Sequence, residues 1–252
     1  MKRIMQVLLL AIAPAAFAGD GAVSLSPAVV MLRGKTGESA SQTLVMRNST
    51  SRLMSFDVVA QDVVVSGGRR RMIPAGAIAG SIAATAVFST RHITVPAGGS
   101  TAVTMTVTVP PNASPRAVVA LFRGTDRIMR GKMTSTASLG ALMTFALSDD
   151  IALTAERLIV KPQSATSNLS VVQACVNSGR EPLVARGVLA VIGVDGRLAG
   201  KASLMPRRLL PGERAEMATD YAGEIPAGHY RVLVTYEYEG RNLTQSAEVD
   251  IK

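Results

Sequence analysis

The 252-residue chain has no tryptophan, one cysteine and two histidines, and only 4% of its residues are aromatic. Each shortage excludes something. A lone Cys175 leaves no partner for an intramolecular disulfide. His92 and His229 lie far apart with no H-x-x-x-H spacing, so no two-histidine metal site is written here. The basic residues are not interleaved with aromatic rings, which removes the stacking surface that single-stranded nucleic acid needs. Nucleophile motifs are missing too, with neither G-x-S-x-G nor Ser-x-x-Lys present. The triplet Gly34-Lys35-Thr36 lacks the earlier glycine of a phosphate loop, where Val29 stands, and it precedes a strand pattern instead of a helix. Adjacent carboxylates at Asp149 and Asp150 face opposite ways in an extended chain. Glu237 and Glu239 are expected to share a strand face, either solvated or touching a cation or carbohydrate. No catalytic residue, cofactor site or metal ligand set emerges, so the sequence reads as non-enzymatic.

What is present is apolar and basic. The chain is 48% hydrophobic and 18% charged, enough to bury cores built from Val, Leu, Ile, Met and Ala. The first residues, "MKRIMQVLLLAIAPAAFA", run from a basic start through an apolar stretch to a small-x-small ending. That layout predicts a cleaved secretory signal over 1–18, cut after Ala18. The apolar run is shorter than a span of about 20 residues and is interrupted by Pro14. No later stretch is long enough, so no transmembrane segment is expected in the mature chain. The expected location is the periplasm, or the cell surface or medium beyond it. The formal charge is +9, and removing Lys2 and Arg3 leaves +9 − 2 = +7. An exported basic protein meets anionic polymers or an acidic partner, or simply stays soluble. Nucleic acid is not an expected partner.

Helical periodicity is nearly absent. Short alternating runs divided by turn clusters predict an all-β protein. The clearest is "TAVTMTVTV" at 101–109, with Val103, Met105, Val107 and Val109 on one face and Thr104, Thr106 and Thr108 on the other. Further strands are expected at 23–32, 41–47, 53–65, 117–123, 139–147, 169–176, 184–194, 213–220, 229–238 and 243–251. Segment 66–86, "SGGRRRMIPAGAIAGSIAATA", is expected to be an insertion. It is either a partner-contacting loop or hairpin, or a solvated, poorly ordered one.

One phrase occurs twice. "MRNSTSRLM" at 46–54 and "CVNSGREPL" at 175–183 each end a strand at Asn-Ser and return to apolar residues. A Pro-Gly-type turn and a further strand then follow in both halves. The pattern predicts a duplicated sandwich unit of about 100 residues, an immunoglobulin-like size. The expected division is 19–148 and 149–252. Cys175 then matches Met46 on the inward face, as a core thiol.

The stretches "VSLSPAVVMLRG" (23–34), "LVMRNSTSRLMSFDV" (44–58), "FSTRHITVPAGGSTAVTMTV" (88–107), "ALFRG" (120–124) and "SLGALMTFAL" (138–147) resemble periplasmic pilus-assembly chaperones. Those proteins have two immunoglobulin-like domains. The resemblance implies an all-β fold of two tandem sandwiches and a protein partner, the subunit of a pilus or other envelope assembly, with an outer-membrane usher as a further partner. In that family the last strand of the first domain is lent to the subunit by β-strand addition. Here that strand carries Leu139, Ala141, Met143, Phe145 and Leu147 at period two. This suits donation, and it equally suits an ordinary core-facing strand. The family's arginine and lysine that hold the subunit's carboxylate fall at Val29 and near Ser148 or Asp149, where neither is found. Arg33, Arg123, Arg127, Arg130 and Lys132 are the nearby basic residues, and they join the apolar face as expected partner-binding residues. The alternative expectation is a structural or adhesive envelope module that binds a polymer or protein through loops such as 66–86.

Overall fold

The structure is a computed structural model that describes residues 22–125, 128–130 and 133–252. Its described residues form two compact units. One holds those up to Val64 together with Arg71–Ser148, and the other holds Val65–Arg70 and Asp149–Lys252. In chain order the strands begin with β1 (Val23–Ser26), β2 (Val29–Arg33), β3 (Ser39–Asn48), β4 (Met54–Ser66) and β5 (Arg69–Pro74). They continue with β6 (Val87–Phe88), β7 (His92–Val95), β8 (Ser100–Thr108), β9 (Ala117–Gly124), β10 (Ile128–Arg130), β11 (Met133–Ser135) and β12 (Ser138–Ala146). Next come β13 (Leu153–Ala155), β14 (Ile159–Lys161), β15 (Leu169–Asn177) and β16 (Leu183–Gly193). The last are β17 (Leu198–Leu209), β18 (Arg214–Tyr221), β19 (Gly228–Tyr238) and β20 (Arg241–Ile251).

The first unit is a sandwich. One sheet runs β1-β3-β8-β6, and the other runs β2-β12-β9-β4-β5 with β7 also paired to β4. Alternation builds it. Val103, Met105 and Val107 of β8 are wholly buried against Leu44 and Met46 of β3 and Phe122, Met143 and Phe145 of the facing sheet. The threonines between them point outward and meet hydroxyls of β3. Ser39–Thr108, Ser41–Thr106 and Thr43–Thr104 are 2.8, 2.7 and 3.1 Å apart. Each buried Leu, Val or Met contributes about 1.5–3 kcal/mol by leaving water.

The second unit repeats the plan. One sheet has β15 paired with β13, β14 and β18, and the other runs β17-β16-β19-β20. Its core includes Leu169, Val171, Cys175, Leu189, Val232, Val234 and Tyr236. The two-sandwich, all-β fold expected from the sequence is therefore present.

The repeated phrase has a shared atomic basis. Asn48 and Asn177 each end a strand and are wholly buried. Asn48 Nδ2 donates to the carbonyls of Arg52 (2.6 Å) and Val95 (3.1 Å), while its Oδ1 accepts from Thr50 N (3.0 Å). Asn177 Nδ2 donates to the carbonyls of Glu181 (2.8 Å) and Leu209 (3.0 Å), and its Oδ1 accepts from Gly179 N (3.0 Å). In both copies the side chain ties the strand end to the turn four residues on and to the end of another strand. Met46 and Cys175, two residues earlier, are both 0% exposed.

Segment 66–86 takes the hairpin form that the sequence allowed, and two other expectations need correction. The segment contains β5, paired to β4, and a 3₁₀ turn at Ala83–Thr85, and it plants Ile82 in the first unit's core. A long strand, β17, stands where none was expected. Glu239 lies past the end of β19 in a turn with φ of 47°, so it does not continue the strand face that carries Glu237.

Candidate functional site

The candidate strand β12 lies between two neighbours. On one side it pairs antiparallel with β9, from Ser138 opposite Arg123 to Thr144 opposite Ala117. On the other it pairs parallel with β2, but only from Leu142 opposite Val29 to Ala146 opposite Arg33. Among the described residues, no strand pairs with that second side over Ser138–Ala141, although β1 passes close to β12. Backbone groups alternate in direction along a strand. Leu142 N donates to Ala28 O (2.9 Å) on the β2 side, whereas Phe145 N donates to Arg116 O (2.8 Å) on the β9 side. By this alternation the N–H and C=O of Ser138 and Gly140 point to the open side. Both residues are exposed.

The apolar side chains of β12 pack inward. Ala141, Met143 and Phe145 are 0–1% exposed and sit in the first unit's core, with Leu139 and Leu147 partly buried against it. The apolar face of β12 points at the opposite sheet because its odd-numbered residues share a face with Val118, Ala120 and Phe122 of β9. In the structure this apolar face packs in the first unit's own core. Gly140 is on the other face, where an added Cβ would come within 2.9 Å of Val119 Cγ2. Glycine keeps β12 close to β9 at that point.

Of the basic residues, Arg123 and Arg33 lie on different strands. Arg123 is exposed on β9 and stands opposite both Ser138 and Asp57. Arg33 is exposed at the end of β2. Arg130 closes β10, which pairs antiparallel with β11 between β9 and β12. Arg127 and Lys132 lie outside the described residues.

The polar groups best defined among the described residues are Cys175, Tyr236 and the two histidines. Cys175 is buried, and burial pushes its thiol up. Tyr236 donates to Gln173 Oε1 at 2.9 Å, and burial pushes its hydroxyl far above the ordinary tyrosine range. His229 is exposed, with Nδ1 2.8 Å from Asp250 and Nε2 3.3 Å from Glu248; these carboxylates raise its pKa. His92 lies 2.8 Å from Asp57. Among the described residues no cluster of three His, Cys, Asp or Glu is placed to hold a metal. Among them, too, no helix is long and apolar enough to cross a membrane.

The described residues form an all-β protein of two sandwiches, and in the first unit β12 is unpaired on one side over Ser138–Ala141. No family description matches the chain, and no curated protein matches it. Among solved structures it is similar to the class 5 fimbriae chaperone CfaA. That match has 12% identity over 89% of this chain and 98% of the other, with a TM-score of 0.47. It is also similar to the CupB2 chaperone of Pseudomonas aeruginosa (14% identity, 90% and 100% covered, TM-score 0.39). A third is the E. coli chaperone DraB (14% identity, 92% and 97% covered, TM-score 0.38). The likeness is remote and extends over about nine tenths of the chain in each case. The fold itself rests on the strand pairings above.

Proposed function

We propose that this protein is an exported, chaperone-like binding protein. It captures an extended segment of a secreted or pilus-type subunit by adding it as a strand beside β12. The observation that supports this reading is the open side of β12 over Ser138–Ala141, with Ser138 and Gly140 directing backbone groups outward. Exposed strand edges invite pairing and are usually blunted or covered. A partner strand there would gain main-chain hydrogen bonds and extend an existing sheet. It would end before Leu142, where β2 begins to pair. In this proposal the apolar residues Leu139, Ala141, Met143, Phe145 and Leu147 stiffen the strand from the core side. Arg33, Arg123, Arg127, Arg130 and Lys132 attract an acidic or carboxylate-bearing partner. Residues 1–18 direct export to the periplasm, and an usher is a further partner in the same scheme.

The test is Ser138→Pro. Proline removes the outward N–H without touching the ladder to β9, and an edge position tolerates it. Periplasmic extracts from the native host are passed over tagged wild type and variant. The expected result is a co-purifying subunit with wild type and its loss with the variant, whose unfolding midpoint stays put. Equal capture by both refutes the proposal. Capture that instead depends on the exposed residues Arg69, Arg71 and Met72 of β5 supports the envelope-module alternative.

A further inference from the structure

A second site lies in the first unit, away from β12. On one edge of β4, β7 covers only Met54–Asp57. Beyond it the chain after β5 arches beside the edge and borders a half-open hollow of about 390 Å³. Its wall includes Val58 and Ala60 of β4, Ala83 and Ala84 of the 3₁₀ turn, Phe88 of β6, and Arg91. The other wall residues are alanine or valine. The volume falls in the range of small-molecule pockets, roughly 300–1,000 Å³.

The arch is fixed from beneath. Asp62 is wholly buried and accepts from Ser81 Oγ and from Ala83 N (2.9 Å). Ser81 Oγ in turn accepts from Gly76 N (2.9 Å) and Ala84 N (3.0 Å). Thr85 Oγ1 donates to Thr108 O at 2.8 Å. Val58 N donates to Arg91 O at 2.8 Å, which anchors the arginine backbone at the cavity. Walls held this way need little reorganisation on binding, which favours affinity.

Arg91 is exposed and is the only charged residue of the wall. The other wall residues are Ala, Val and Phe, and main-chain groups of β4 and the 3₁₀ turn complete the lining. A cationic ligand would meet a like charge at Arg91. We propose that this cavity binds a small aliphatic monocarboxylate, with the tail among the alanines and the carboxylate on the Arg91 guanidinium. A guanidinium–carboxylate contact is charge-assisted and fixes the orientation. This site is independent of strand addition at β12.

The experiment is isothermal titration calorimetry of the full mature chain with octanoate, and with octanol as the uncharged probe. Octanoate is expected to saturate one site about tenfold more tightly than octanol, as a charge-assisted contact supplies. Arg91→Gln should erase that preference, and Ala84→Phe should weaken both probes by filling the cavity. Ala75→Phe, at an exposed wall position, gives the same reading should Ala84→Phe fail to fold. The proposal is overturned by absence of saturable octanoate binding, by a preference that survives Arg91→Gln, or by affinities unchanged in the folded phenylalanine variant.

Discussion

Truncating Asn177 to alanine tests the duplicated architecture at its most buried polar point. The side chain makes three hydrogen bonds, two from Nδ2 to the carbonyls of Glu181 and Leu209 and one to Oδ1 from Gly179 N. A protein hydrogen bond contributes about 1 kcal/mol net, and a buried group left unpaired costs about 1–3 kcal/mol. Asn177→Ala should therefore destabilise the second unit by about 2–4 kcal/mol. Asn48→Ala should do the same to the first unit, because Asn48 makes the equivalent bonds to Arg52, Val95 and Thr50. The adjacent Ser49 and Ser178 are exposed and tie down the chain through backbone N–H groups, to Ala22 O and Ala152 O. Ser49→Ala and Ser178→Ala should stay within about 0.5 kcal/mol of wild type. Urea unfolding, with each unit's transition fitted separately, measures all four variants. If either asparagine variant costs no more than its serine neighbour, the shared strand-end tie is not what the repeat encodes.

Two further predictions concern titratable groups. Asp250 and Glu248 hold the His229 pKa above the ordinary histidine value, so the folded state binds that proton more tightly than the unfolded chain. The resulting stability is fully present below the unfolded value of about 6.5 and is lost as pH rises through the raised folded value. His229→Gln should flatten the stability profile in the window just above about pH 6.5; an unchanged slope there would contradict the pairing. Cys175 is 0% exposed and burial raises its thiol pKa. A thiol reagent should label it slowly in the native protein and rapidly in urea, and native labelling at the unfolded rate would remove it from the core.

The sequence carried much of the sandwich and little of the edge. Strands such as β8 and β15 bury alternate residues, and period two is visible wherever one face meets a core. β17 escaped because Lys201, Pro206, Arg207 and Arg208 interrupt it and Met205, beside buried Leu204, is 79% exposed. Its pairing with β16 also shifts register between Ala185 and Gly187, which blurs any strict alternation. β5 escaped because Arg69, Arg70, Arg71 and Met72 are all exposed, leaving no apolar face to count. The apolar side of β12 was legible, but alternation cannot distinguish a face turned to the protein's own core from one held out to a partner. The open edge at Ser138 and Gly140 is a property of backbone pairing. It depends on where β2 starts, at Val29, and no side chain announces that.

In the proposed function a partner adds as a strand to the upstream half of β12. Amide hydrogen exchange, resolved by residue on the protein alone and with its captured subunit, tests this most directly. Alone, Leu139, Ala141 and Met143 should be protected by β9, while Ser138 and Gly140 exchange rapidly. In the complex, Ser138 and Gly140 should become protected. Rapid exchange at both in a stable complex, or protection of both before any partner is bound, would contradict the account.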